Sequence, residues 1–192
     1  MSSALVRNSD THPIRIDAVQ PDGGWGLVGM SFCPGKKQRN ARTGHWQRDL
    51  ATDLARVRQW GTRIVVSLVE EHELGELQVE TLPVEVERLG MQWRHLPIRD
   101  MYPPGECFRR LWPELGREII TTLQAGQRVF LHCKGGLGRT GTVAACLLIE
   151  SGMRAEEAIA QVRLARPETI ETALQEWFVM TYSPTFLKEA IL

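Results

Sequence analysis

Cys133 and Arg139 are separated by five residues in the run Val129-Phe-Leu-His-Cys-Lys-Gly-Gly-Leu-Gly-Arg-Thr-Gly-Thr142. A thiolate is a strong nucleophile, and a guanidinium offers a planar fork of donors that matches two phosphate oxygens. Between the two lie Gly135, Gly136 and Gly138, which let the chain curl until its amides converge into an anion nest. The apolar run Val143–Ile149 predicts a buried helix beginning at Arg139. Its unpaired N-terminal amides and partial positive charge would point at the same spot. The loop Lys134, Gly135, Gly136, Leu137, Gly138 and Arg139 is therefore a predicted phosphate cradle, with the nucleophile Cys133 on its rim. It is not the nucleotide-binding loop, which needs Gly-Lys-Ser/Thr where Arg139-Thr140 stands.

Displacing an oxygen from phosphorus leaves a poor leaving group, since a phenol has a pKa of about 10. An acid that protonates it during departure is worth roughly a hundredfold or more. Asp100, in the proline-bounded loop Pro97–Pro104, is the best candidate; the competing reading is an aspartate that merely turns its loop. Thr140 can donate its hydroxyl to the sulfur when the thiolate leaves in a second step. No metal or other cofactor is expected, because loop amides and Arg139 supply the positive field. The four cysteines, Cys33, Cys107, Cys133 and Cys146, contain no Cys-x-x-Cys pair, so neither a zinc site nor a disulfide framework is indicated.

Several elements must hold these residues. Residues 1–12 read as a loose polar start. Apolar stretches at 14–19 and 25–32, split by a turn cluster, predict a hairpin at a sheet edge. Lys36–Arg42 is a basic stretch that could meet an acidic or phosphorylated partner, a solvated loop being the commoner origin of such a run. Residues 49–60 predict an amphipathic helix ended by Gly61, and 63–69 a buried strand. Glu70 and Glu71 follow that strand, either as a contact to the arginine or to a neighbouring loop or, more often in proteins, as a solvated helix start. Short helices are expected at 73–79 and 84–89, a strand at 91–96, and a long helix at 106–124 kinked or broken by Pro113. A buried strand over the apolar run 129–132, the helix after it and two further helices at 155–165 and 172–180 complete the chain. Apolar strands alternating with helices predict an α/β fold with a mostly parallel central sheet flanked by helices. In such sheets ligands bind beyond the carboxyl ends of strands, where Cys133 and Asp100 both fall.

The chain has 192 residues, with 23 basic and 23 acidic side chains. One domain is expected, with a catalytic core at about 27–180. The balanced charge argues against nucleic acid or an anionic membrane as partner. The start of the chain has no apolar secretion signal, and the longest apolar run is too short to span a bilayer. A reducing, cytoplasmic setting is the expectation; oligomeric state is left open.

His132-Cys133, five residues, Arg139 and Thr140 resemble the signature of the cysteine-dependent protein tyrosine and dual-specificity phosphatases. Pro97-Ile98-Arg99-Asp100 is similar to the acid loop of the dual-specificity members. With Phe32-Cys33-Pro34-Gly35 and Val143–Leu148, these motifs resemble the cyclin-dependent-kinase-associated phosphatases; Arg99 departs from their small apolar residue. The resemblance implies a protein-tyrosine-phosphatase-like fold of dual-specificity size. It also implies a phosphorylated protein substrate carrying phosphotyrosine, with phosphoserine or phosphothreonine open, and a phosphocysteine intermediate. It implies that His132 supports the cysteine loop and that Gln175, in Arg166–Gln175, lies over the site to orient water. Two alternatives remain: a phosphatase for a non-protein monoester such as a phosphoinositide or an RNA 5′-phosphate, and a phosphopeptide-binding module with weak catalysis. Spacing does not decide whether Cys33 or Cys107 pairs with an oxidised Cys133.

Overall fold

The computed structural model describes residues 6–41 and 44–186. In chain order the elements are β1 (Val6–Arg7), β2 (Asp17–Val19), β3 (Val28–Phe32), β4 (Lys37–Ala41), β5 (Gly44–Gln47), α1 (Leu50–Gln59) and β6 (Thr62–Ser67). There follow α2 (Glu71–Glu76), α3 (Leu82–Arg88), β7 (Gln92–His95), α4 (Glu106–Gln124), β8 (Arg128–Cys133), α5 (Gly138–Glu150), α6 (Ala155–Ala165) and α7 (Ala173–Met180).

The central sheet runs β2-β3-β8-β6-β7. β3, β8, β6 and β7 are mutually parallel, and β2 pairs antiparallel with β3 at the edge, as the hairpin pattern predicts. Ile64, Val65, Val66, Val129, Phe130 and Leu131 are all fully buried, the near-continuous apolar run demanded when helices cover both faces of a parallel sheet. Alternation then splits the strands between two cores. Ile64, Val66, Val129 and Leu131 join Ile119, Ile120, Leu123, Val143 and Leu147 on one face. Val65 and Phe130 join Leu54, Val57, Leu74, Leu82 and Val86 on the other. The long helix α4 continues through Pro113, so the break that the proline could have caused does not occur. Phe108, Trp112, Ile119, Ile120 and Leu123 bury one continuous face of it, and that burial outweighs the missing amide of one proline.

Two further expectations are corrected. The basic stretch is not a solvated loop: Lys37–Ala41 is β4, paired antiparallel with β5, and β1 pairs parallel with β5 to give a second sheet of order β1-β5-β4. Lys36, before it, is only 4% exposed; Arg42 lies outside the described residues. Residues 6–12 are not loose either. Val6–Arg7 is paired, and buried Ser9 accepts the Asp49 amide at 2.9 Å. Residues 1–5 and the end of the tail after Pro184 lie outside the described residues.

Candidate active site

β8 carries Cys133 to the carboxyl edge of the sheet, in register with Phe32 of β3. The chain then turns through Lys134–Leu137 into α5. Gly136 makes the turn possible: its φ is 71°, and a Cβ there would lie 2.2 Å from the Ser31 carbonyl carbon. Its amide donates to the Cys133 Sγ at 3.2 Å, and Cys133 is 3% exposed. Arg166, after α6, keeps the loop's polarity inward. Its guanidinium donates to the carbonyls of Gly136 at 2.6 Å and Gly135 at 3.2 Å, and to Asp17 at 2.7 Å. With carbonyls held outward, amides are left facing the nest.

Arg139, 1% exposed, is clamped by Glu73 of α2. Its two terminal nitrogens donate to the two carboxylate oxygens at 2.5 and 3.0 Å, and one also donates to the Ile98 carbonyl at 3.1 Å. Burial pushes the Glu73 carboxyl up, but the hydrogen bonds and charge of Arg139 outweigh it and hold the group below its ordinary value. Burial likewise works against the Arg139 charge, and the Glu73 bonds more than restore it. Glu73 also accepts the Glu70 amide at 2.8 Å, closing the first turn of α2. The two glutamates weighed for this contact do not make it: Glu71 has an 84% exposed side chain, 3.7 Å from His95, and Glu70 is the N-cap of α2. Picking Glu73 needs the phase of a six-residue helix, which no periodicity in the sequence supplies.

Asp100 is 51% exposed in its side chain and sits 2.9 Å from Arg139. The acid loop is thus folded over the nest, helped by Met101 at a φ of 64°. His132 is fully buried; its Nε2 meets the Ser67 hydroxyl at 2.6 Å, which also accepts the Trp93 indole N–H at 2.8 Å. Burial pushes this imidazole down to about 3, so it is neutral and lies behind the cysteine rather than in the cleft. The Thr140 hydroxyl is buried with no hydrogen-bond partner among the described residues. Gln175 is fully buried at the start of α7 and donates to the Tyr102 carbonyl at 3.3 Å. A Cβ on Gly138 would lie 2.8 Å from its Nε2, so the structure brings Gln175 against the loop.

Glu171, singled out by no motif, also reaches the nest: its carboxylate accepts the Gly138 amide at 2.8 Å. The cleft over the loop encloses about 670 Å³ and is lined by, among others, Lys36, Trp46, Asp100, Lys134, Arg166 and Glu171. Lys134 itself leans 3.5 Å from Glu76. Cys33 is buried immediately after the register partner of Cys133, whereas Cys107 is exposed on α4; all four cysteines are free thiols. Burial raises the Cys33 thiol. Among the described residues no cluster of three His, Cys, Asp or Glu could hold a metal ion, and no helix is long and apolar enough to cross a membrane.

A thiol at the end of a central parallel strand, a glycine-rich turn and an arginine at the following helix start are the arrangement found in the cysteine-based phosphatase fold of the dual-specificity class. Residues 42–153 match the family described as Tc-R-P, the DSP-PTPase phosphatase of polymorphic toxin systems, and the chain belongs to that family. Cyclin-dependent kinase inhibitor 3 of Rattus norvegicus is 29% identical over 144 residues, 73% of this chain and 63% of the rat protein. The chain therefore spans less than two thirds of that relative's length. Dual specificity protein phosphatase CDC14B of Mus musculus is 41% identical over 61 residues, 31% of this chain and 13% of that one. Among solved structures, the kinase associated phosphatase (KAP) bearing a serine in place of its catalytic site cysteine matches with a TM-score of 0.76 at 25% identity, covering 88% of this chain and 93% of that one. Tk-PTP in its active form matches with a TM-score of 0.62 at 30% identity, covering 90% and 97%.

Proposed function

We propose that this chain dephosphorylates proteins, acting on phosphotyrosine and on phosphoserine or phosphothreonine where the cleft admits them. The Cys133 sulfur forms a bond to phosphorus while the phosphorus–oxygen bond of the ester breaks, and Asp100 gives its proton to the departing oxygen. Arg139 and the loop amides bind the three remaining oxygens, whose charge peaks in transit. Water then attacks the phosphocysteine, Asp100 takes the water's proton, and the sulfur leaves with Thr140 donating to it. Gln175 orients that water, and His132 supports the loop from behind. Asp100 reaches this role by leaving Arg139 as a phosphate arrives between them.

The observation that carries the reading is the pairing of the Gly136 amide with the Cys133 sulfur at 3.2 Å and of Arg139 with Asp100 at 2.9 Å, beside a cleft lined by Asp100, Lys134, Gly135 and Leu137. The relatives named as dual-specificity and kinase-associated phosphatases support the protein substrate. A reducing, cytoplasmic setting belongs to the same proposal, because the sulfur must stay unoxidised to attack. The test is a panel of phosphotyrosine, phosphoserine and phosphothreonine peptides beside inositol phosphates and a 5′-phosphorylated RNA. Turnover of the peptides by wild type, and capture without turnover by Cys133→Ser, is expected. Turnover confined to the non-protein esters would overturn the protein reading, and binding without turnover in the wild type would make the chain a phosphopeptide module.

A further inference from the structure

We propose that Lys36 is a positioning residue of the phosphate loop, a buried cation fixed beneath the nest that helps hold the bound oxyanion. Its ammonium donates to the carbonyl of Lys134, the residue after the nucleophile, at 3.1 Å. It lies over the rings of Phe32 and Trp46, 5.1 and 5.2 Å from their centroids. It is 4% exposed and lines the cleft with Asp100 and Lys134.

Charge balance is the reason to assign it a role. Arg139 stays offset by Glu73 even when Asp100 has left it, and Glu171 adds a further carboxylate at the rim. A dianion entering that site needs another positive charge. The other nearby cations are already matched: Arg48 by Asp53, Arg166 by Asp17 and Lys134 by Glu76. None of those carboxylates pairs with Lys36 among the described contacts. An ammonium withdrawn from water without a carboxylate is costly, and what it faces instead is the loop that binds anions.

The groups acting on Lys36 come from four directions. Cys33 at the end of β3 and Cys133 at the end of β8 favour its charge; Arg48 before α1 and Arg166 after α6 oppose it. Burial dominates and brings the ammonium down to about 8. Its charge is thus present below that pH and lost above it, while an arginine in its place would stay charged.

The inference goes beyond the substrate proposed above and is tested apart from turnover. Tungstate, a dianion throughout, is titrated into the Cys133→Ser protein between about pH 6.5 and 9.5, followed by calorimetry. Kd is expected to rise about tenfold between about pH 6.5 and 9.5 as one charge is lost, with the midpoint at or below pH 8 because the serine no longer supports the ammonium as Cys133 does. Lys36→Arg in the same background should flatten the rise. Lys36→Met should weaken binding about tenfold at pH 7 and remove the pH dependence. An equal rise in the arginine variant, or parent-like binding by the methionine variant, would overturn the proposal. Should Lys36→Met fail to fold by circular dichroism, the parent and arginine titrations still decide it. Hydrolysis of p-nitrophenyl phosphate by the wild-type chain is measured alongside; its absence would sink the phosphatase reading and leave the tungstate result to judge Lys36.

Discussion

Glu73 and Arg139 form a bidentate ion pair at 2.5 and 3.0 Å in which the side chains are 3% and 1% exposed. The pair ties α2 to the first turn of α5 and so fixes the guanidinium beside Asp100 and the Ile98 carbonyl. Removing one member of such a buried pair leaves a charge without a partner, at a cost of about 3–5 kcal/mol. Glu73→Ala is expected to lower the urea midpoint and to cut kcat/KM for an aryl phosphate by about a hundredfold. A variant with wild-type kcat/KM would show that Arg139 needs no such clamp.

The same pair and His132 set the response to acid, in two windows. His132 is neutral in the fold with its pKa brought from 6.5 to about 3. The unfolded chain therefore binds the extra proton between those values, and stability falls as pH drops below about 6.5, by up to ~1.4 kcal/mol per pH unit. Glu73 is held below its ordinary value, so its contribution is complete above the unfolded carboxylate pKa of about 4.3 and is lost as pH falls further. Urea midpoints should decline from about pH 6.5 downward and more steeply below about 4.3, and Glu73→Gln should remove that extra steepness while leaving the His132 slope in place.

Glu171 seats a carboxylate 2.8 Å from the Gly138 amide, where a phosphate oxygen would otherwise accept. Like charges compete there. Glu171→Gln should tighten inhibition by inorganic phosphate about tenfold and lower KM, with kcat nearly unchanged. Weaker inhibition in that variant would mean the carboxylate assists the bound anion through its other contacts.

Asp100, 51% exposed and 2.9 Å from Arg139, is assigned the proton transfer to the leaving oxygen. Asp100→Asn is expected to slow the first step with poor leaving groups by about a hundredfold or more, and progressively less as the leaving group becomes more acidic. Pre-steady-state bursts over a series of substituted aryl phosphates measure this. A deficit that ignores leaving-group acidity would remove the assignment.

Asp53 and Arg48 make a second buried pair, fully excluded from solvent and bidentate at 2.7 Å for each bond. Asp53 also accepts the Gly35 amide at 2.9 Å, and Arg48 stacks on Phe32 and Trp46. Asp53→Ala should destabilise the fold by about 3–5 kcal/mol. Since Trp46 and Phe32 also flank Lys36, the loss should appear as loosened oxyanion binding before global unfolding. A thermal melt and tungstate titration on one preparation would check both.

What the chain's order of residues determined by itself is the local chemistry and the layers that carry it. The short apolar runs at β6 and β8 match strands covered on both faces, and the turn between Cys133 and Arg139 needs a glycine at position 136, where φ is positive and a Cβ would meet the Ser31 backbone. Those features are local: each depends on neighbours a few positions away. The tertiary structure alone decided which distant groups complete the site. Glu73 was chosen over Glu70 and Glu71 by the phase of a short helix. Arg166 and Glu171 reach the loop from beyond α6. The polar strand β4 has no alternation to announce it, and pairing with β5 is what makes it one. Lys36 looks like any surface lysine in sequence and becomes a buried cation because Phe32 and Trp46 close over it. Burial and long-range charge are sums over the whole packed chain, and they exist only once it is packed.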